Sequence, residues 1–164
     1  NSRRKAIVVL TDGVDTQMRN EDRKLLAGLQ PEAMATAIKP EASESLRRIL
    51  SRSDLQGVTI YPLALPTGNP ARLVDPTPLQ IAMYSAARSR LSLIAERTGG
   101  TLNAIERLDQ MATLYAAVAA DLRTLYTIEY TPTNLKRDGK WRQIKVAVSN
   151  PELVSRSRTG YYAR

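Results

Sequence analysis

A run of apolar residues without polar alternation, Ala6 to Leu10, lies near the start of the chain and is followed by Thr11-Asp12-Gly13. This pattern is typical of a strand buried on both faces, as in a parallel sheet between two helical layers. Such a strand has a neighbour on each side, yet only Asn1 to Lys5 precede the run. We therefore expect these residues to be the later part of a fold whose sheet is completed by other polypeptide. A solvated position for this strand at the margin of a self-sufficient, well-packed monomer would argue against that expectation.

Helical and strand patterns alternate over the next hundred residues. Gly57 and Gly99 are typical helix stops, whereas Pro62 removes a ladder donor and predicts that its strand is interrupted or lies at an edge. The pattern predicts helices over 23–29, 41–56, 79–98 and 107–124, and strands over 58–65 and 101–104. The last helix carries an apolar stripe of Leu108, Met111, Tyr115, Val118 and Leu122. This order of elements favours an α/β fold with a parallel sheet over residues 1–124.

The last 40 residues follow a different pattern, in which apolar and polar positions alternate. Strand composition occurs over 125–130, 141–149 and 154–162. Asp138-Gly139 and Asn150-Pro151 are turn signals between these stretches. The sequence therefore predicts an antiparallel β meander over 125–164, as an extension of the α/β part.

The composition narrows the available chemistry. The chain has no Cys and no His, so thiolate metal sites, disulfides and the commonest general base are absent. No nucleophile–base pair or carboxylate cluster is visible, and a metal-dependent hydrolase using Asp12 or Asp15 is disfavoured. We predict a protein that is not an enzyme. No apolar run approaches the ~20 residues of a transmembrane segment.

Positive charge is concentrated at the carboxyl-terminal end. The net charge is +8, and residues 134–164 carry eight basic and two acidic groups. One interpretation is a surface that binds a polyanion, and the other is a solvated β edge whose cations discourage strand addition. We favour the second, since nucleic-acid binding usually adds a set of stacking aromatic residues. The candidate binding residues are Lys140, Trp141, Arg142, Arg156 and Arg158.

Asp12 is the candidate metal ligand. It follows the first strand, at the end of a parallel sheet where α/β folds place their sites. Thr11, Asp15 and Thr16 are further oxygen donors nearby, and an all-oxygen set suits Mg²⁺ or Ca²⁺. Asp and Gly are also ordinary turn residues, and the residue pattern alone favours a simple strand-exit turn.

Several segments together resemble von Willebrand factor A (VWA) domains. The run from Ile7 to Gly13 looks like the third metal-site element of that family, and the order of the later strands and helices is similar. The tail narrows the resemblance to the VWFA-related family that is abundant in Acidobacteria. The segments that carry it are Ile7–Gly13, Val58–Leu65, Leu91–Ala95 with Thr98–Gly100, Leu108–Leu122, Leu125–Pro132, Asp138–Arg142 and Arg158–Tyr162.

The resemblance implies the carboxyl-terminal half of a three-layer, Rossmann-like VWA domain with an incomplete metal-ion-dependent adhesion site. In that family the ion is held by an Asp-x-Ser-x-Ser loop, a Thr from a later loop, and the Asp of Thr-Asp-Gly, usually through water. Asp12 matches the last of these, and neither of the other elements occurs in this sequence. Because one ligand falls far short of the six or so that such ions need, we predict that the chain alone holds no tightly bound cofactor. Mg²⁺ or Ca²⁺ would belong to the complete domain.

The function implied by the resemblance is protein–protein interaction or adhesion, in a secreted, periplasmic or cell-surface location. The expected contact is along the strand Lys5–Thr11, with either a protein partner or the chain's own amino-terminal half. The alternative function is binding of a polyanion, namely nucleic acid, polysaccharide or anionic lipid, through the basic tail. Steep salt dependence would distinguish it.

Overall fold

The computed structural model describes residues 5–164, apart from the side chain of Leu108. Residues 1–4 of the predicted α/β part therefore lie outside the described residues. The described chain forms a three-stranded parallel sheet with helices, and a separate two-stranded antiparallel sheet. The predicted α/β class, with antiparallel strands after it, is confirmed at this level.

The strands are short. The parallel sheet has the order β1 (Lys5–Thr11), β2 (Val58–Ala64) and β3 (Asn103–Ala104). Lys5 is paired with Val58 at one end of the β1–β2 ladder, and Thr11 with Ala64 at the other. In the second sheet, β4 (Trp141–Gln143) pairs with β5 (Gly160–Tyr162).

Within residues 5–164, five α-helices accompany the strands: α1 (Thr16–Leu26), α2 (Pro31–Ala37), α3 (Glu44–Gln56), α4 (Pro78–Thr98) and α5 (Met111–Arg123). Three 3₁₀ turns cover Pro40–Ala42, Pro70–Arg72 and Leu108–Gln110. The predicted stops of α3 and α4 are confirmed, since Gly57 and Gly99 cap them in the left-handed conformation, at φ 68° and 80°.

Helices cover both faces of the parallel sheet. Val8 packs towards α5 in a cluster built on Tyr61, Leu63, Ile105 and Val118. Val9 points to the opposite face, because side chains alternate along a strand, and lines a groove with residues of α1, α3 and α4. Helices therefore lie on both faces of the parallel sheet around β2.

The prediction that β1 is buried on both faces is wrong. Within residues 5–164, β1 lies at the edge of the sheet and pairs with β2 alone. Ile7 is 48% exposed and Leu10 is 42% exposed. The helical layers centre on β2, whose residues from Ile60 to Ala64 are all buried, so they cover β1 only in part and leave even Val8 and Val9 half-buried.

The expectation that Pro62 interrupts or displaces its strand is also wrong, because β2 is continuous and central. Ile105 N–H donates to the Ala64 carbonyl at 2.8 Å, so even-numbered residues of β2 direct their backbone groups towards β3. β3 begins only at the level of Leu63. The missing N–H of Pro62 therefore falls where β3 offers no ladder partner.

Two helices differ from the sequence prediction. α1 begins at Thr16, well before the predicted 23–29, because the Asp15 carboxylate accepts the Met18 N–H at 2.9 Å and caps it. α2 lies in a stretch for which no helix was predicted. Pro31 starts that helix, since proline is well suited to the first helical position.

The prediction of a three-stranded meander over 125–164 is wrong as well. Residues 125–130 form no strand, and β4 and β5 cover only three residues each of the predicted 141–149 and 154–162. Tyr126 is 91% exposed and Ile128 is 68% exposed, so these two alternating positions gain no burial that could fix the segment as a strand.

Candidate functional site

Asp12 lies in a tight turn between β1 and α1. Its Oδ1 accepts the Val14 N–H at 3.0 Å, and the Thr11 hydroxyl oxygen accepts the Gly13 N–H at 3.0 Å. Gly13 has φ 81°, a conformation that favours glycine. Asp12 therefore does locally what a turn-forming Asp does.

The other oxygen donors near Asp12 are also accounted for. The Asp15 carboxylate caps α1, and Thr16 is the exposed first residue of that helix. Within residues 5–164, no three acidic side chains are grouped in a way that could hold a metal ion. In the part of the chain that the structure describes, Asp12 is thus a turn carboxylate that belongs to no group of three acidic side chains.

The free edge of β1 exposes hydrogen-bonding groups of the backbone. Leu65 N–H donates to the Thr11 carbonyl at 2.8 Å, so odd-numbered residues of β1 face β2. Ala6, Val8 and Leu10 consequently direct their N–H and C=O groups away from the sheet. An extended segment beside β1 could make hydrogen bonds to all three residues.

A groove of about 300 Å³ runs along the same side of the sheet as Val9. Its walls come from β1 and the three helices on that face, and they are mainly apolar. Val9, Met18, Leu46, Ile49, Leu91 and Ile94 form most of this lining. Ile49 is 42% exposed, so the groove opens to solvent beside the free edge.

The predicted basic residues of the tail lie elsewhere. Here the C-terminal segment means residues 141–164. Arg158 donates to the Val58 carbonyl at 2.9 Å, at the start of β2. Arg156 donates to the Thr101 hydroxyl at 2.6 Å and to the Asp121 carboxylate at 3.1 Å. These contacts hold the segment at the amino-terminal end of the parallel sheet.

Trp141 provides another anchor for the C-terminal segment. Its ring lies under the Arg97 guanidinium, with 3.9 Å between the guanidinium carbon and the ring centroid. Arg97 also pairs with Asp54 of α3 at 3.2 Å. Tyr162 packs edge-to-face on the other side of the hairpin, 5.0 Å from Trp141 between ring centroids.

The remaining predicted residues contribute to the turn before β4. Arg142 donates to the Asp138 carboxylate at 3.1 Å and to the Lys136 carbonyl at 3.2 Å. Lys140 is exposed, and its carbonyl accepts the Ala163 N–H at 2.9 Å. The five tail residues therefore belong to one hairpin, but three of their four cationic side chains are bonded within the chain.

Asp12 and the tail residues do not form one site. Asp12 follows the carboxyl end of β1, whereas Arg158 contacts the first residue of β2. Because the strands are parallel, these positions lie at opposite ends of the sheet. The partners of the tail, Thr101, Asp121 and Arg97, were missed by sequence reasoning. Thr101 lies 55 residues and Asp121 lies 35 residues before Arg156 in the sequence. No local sequence pattern marks any of the three partners.

Two tyrosines have perturbed acidity. Burial raises the pKa of Tyr61, the negative charge of Asp121 raises it further, and Arg156 lowers it in part. A hydrogen bond with Tyr161 raises the pKa of Tyr130. Tyr61 thus shares its electrostatic surroundings with the Arg156–Asp121 contact.

Comparison with known proteins adds no relative. No family model, curated protein or solved structure matches the chain. In the described part of the chain, none of the helices combines the length and apolar character needed to cross a bilayer.

Proposed function

We propose that this chain is a protein-interaction module of VWA type, which takes up an extended segment of another polypeptide, or of its own amino-terminal half, along β1. The observation that carries the proposal is the free edge of β1. Three residues there direct backbone donors and acceptors outwards, beside half-exposed Ile7 and Leu10. Added strands bind by backbone hydrogen bonds and gain specificity from alternate side chains.

The exposed area of the chain supports a missing partner. The chain exposes 11636 Å², whereas a compact monomer of 18.2 kDa would expose about 8,100 Å². The difference is several times the ~800 Å² that one partner buries in a standard interface. Exposed apolar side chains border β1 at Ile7, Leu10, Val14 and Ile49, and others, such as Tyr126, lie in the irregular tail.

The same proposal places the domain in a secreted, periplasmic or cell-surface assembly without enzymatic activity, following the resemblance. Mg²⁺ or Ca²⁺ would then be held by the complete domain, with Asp12 acting through water. The bound strand needs an apolar residue over the groove and another beside Leu10, because a strand presents alternate side chains to the two faces.

A random heptapeptide display tests the interaction at β1. We expect enrichment of peptides with alternating aliphatic residues, and loss of their binding in Ala6→Pro and in Leu10→Lys. The first change removes an outward N–H, and the second places a charge on the edge. Arg158→Gln serves as the matched control and should bind them normally. Failure to enrich any peptide, or binding that survives both edge variants, would overturn the proposal.

A second candidate function, binding of a polyanion, is favoured by the tail's remaining cations. Lys136, Arg137, Lys140 and Lys145 are exposed, and none of them has an acidic partner within the described residues. In the display experiment this function predicts acidic peptides, whose binding falls steeply with salt and is unaffected by Leu10→Lys.

A further inference from the structure

The C-terminal segment is attached to the α/β part mainly by polar contacts. Neither hydrophobic cluster of the described core, around Tyr61 or around Leu46, includes a residue beyond Leu122. The side-chain contacts that attach it include Arg156 with Asp121 and Thr101, Arg158 with the Val58 carbonyl, and Arg97 stacked on Trp141. A segment held in this way opens more readily than one that contributes to a core.

The two tail arginines are also poorly neutralised. Arg158 bonds to a backbone carbonyl, which is a weaker acceptor for a guanidinium than a carboxylate or phosphate. The Arg156–Asp121 pair is partly solvated, with side chains 52% and 35% exposed. An external anion therefore has an electrostatic advantage at Arg158 and competes on nearly equal terms at Arg156.

The backbone path fits a docked segment. A Cβ placed on Gly99 would lie 3.1 Å from the backbone nitrogen of Arg158, so the backbone of the C-terminal segment passes directly against the end of α4. A cavity of about 350 Å³ remains between them, lined by Gly99, Gly100, Lys145, Ser155 and Ser157 among others. The contact is close at a few points and open between them.

We propose that the C-terminal segment is a releasable strap across the amino-terminal end of the parallel sheet, which a polyanion opens by competing for Arg156 and Arg158. The inference extends the second candidate function and is independent of the edge of β1. In the closed state, the residues that would bind the polyanion hold the strap, so binding and closure exclude each other.

Trp141 is the one tryptophan in the sequence, and it reports on the strap directly. The full chain is titrated with inorganic polyphosphate at constant ionic strength. Calorimetry measures binding, Trp141 emission and its quenching by acrylamide measure release, and circular dichroism measures helix content. We expect binding together with a red shift and stronger quenching, while helix content stays unchanged.

Two variants test the competition itself. Asp121→Asn removes the internal competitor for Arg156 and should tighten polyphosphate binding about two- to fivefold, the range of one exposed ion pair. Arg158→Gln should weaken binding. Asp109→Asn changes charge equally at an exposed pair with Arg107 and should have no effect.

The outcomes separate the strap from the function. Binding without a change in Trp141, or release accompanied by loss of helix, would overturn the strap and leave polyanion binding standing. Absence of binding would overturn both. Equal affinity of Asp121→Asn and the unmodified chain would show that the carboxylate does not compete.

Discussion

Arg90 of α4 and Asp22 of α1 form a two-pronged ion pair, with nitrogen–oxygen distances of 2.7 and 2.6 Å. Both side chains are less than one-tenth exposed. The pair fixes α1 to α4 on the face of the sheet that borders the groove. A buried charge that loses its partner remains desolvated, which is strongly destabilising.

We therefore predict that Asp22→Asn lowers the free energy of unfolding by about 3–5 kcal/mol, as measured by urea denaturation. Arg90→Leu with Asp22→Leu should cost less than either single change, because no buried charge is left alone. Arg107→Ala, at an exposed pair, should stay within about 0.5 kcal/mol of the unmodified chain. Equal costs for Asp22→Asn and Arg107→Ala would contradict the structural role of the pair.

Both the backbone conformation of Gly13 and the closeness of Leu91 favour glycine at this position. Its φ is 81°, and a Cβ there would lie 2.9 Å from Leu91 Cδ1. Gly28 has φ 80° and no neighbour within 4 Å, so it provides a matched control. We expect Gly28→Ala to cost about 1–2 kcal/mol, and Gly13→Ala to cost about 1 kcal/mol more through crowding. Thermal denaturation of the two variants gives the difference, and equal values would remove Leu91 from the explanation.

Asp12 and Asp15 should behave differently on substitution. Asp12→Asn keeps an oxygen for the Val14 N–H, so stability should change by less than about 0.5 kcal/mol. Asp15→Ala removes the helix cap and should cost about 1 kcal/mol. We also expect millimolar Mg²⁺ or Ca²⁺ to leave the melting temperature of the chain unchanged, since a tightly bound ion would raise it. A rise that Asp12→Asn abolishes would show that the chain holds the ion after all.

The raised pKa of Tyr61 predicts that the chain loses stability at alkaline pH. Its pKa in the folded chain is raised above the ordinary value of 10.0, chiefly by burial. The ordinary pKa applies to Tyr61 in the unfolded chain and the raised pKa to Tyr61 in the folded chain. Between these two values Tyr61 loses its proton in the unfolded chain and keeps it in the folded chain, so stability falls as pH rises above about 10. Tyr61→Phe should flatten this part of the stability curve in denaturant titrations between pH 9 and 11. Identical slopes would mean that Tyr61 titrates alike in both states.

Local patterns predicted the elements that are set by local causes. The glycine stops of α3 and α4 and a strand at the unalternating run of β1 appear in the fold. A helix also forms within the predicted 107–124, but Leu108 precedes it and Tyr115 of its apolar stripe is 44% exposed. The limits of prediction appear where a distant residue decides. Pro62 is tolerated because β3 begins too late to need its N–H, and residues 125–130 form no strand although their composition favours one.

The residues of the candidate site were likewise predictable from the sequence only in part. Asp12 with its strand-exit turn, and the basic tail, could be predicted from residue type and charge, but the surroundings of the tail residues could not. The internal partners of Arg156 and Arg158 depend on how distant segments meet. The free edge of β1 is inferred from the sequence and the structure together. The apolar run predicted a strand with two neighbours, and within the described residues the sheet provides only β2.

Residue-resolved amide exchange of β1, without and with an enriched strand-forming peptide, tests the proposed interaction most directly. In the free chain we expect slow exchange at Ile7, Val9 and Thr11, whose amides face β2, and fast exchange at Ala6, Val8 and Leu10. The peptide should slow those three amides and leave the C-terminal segment unchanged. Slow exchange at all of them before any peptide is added, or peptide binding that leaves Ala6, Val8 and Leu10 fast, would contradict a binding edge at β1.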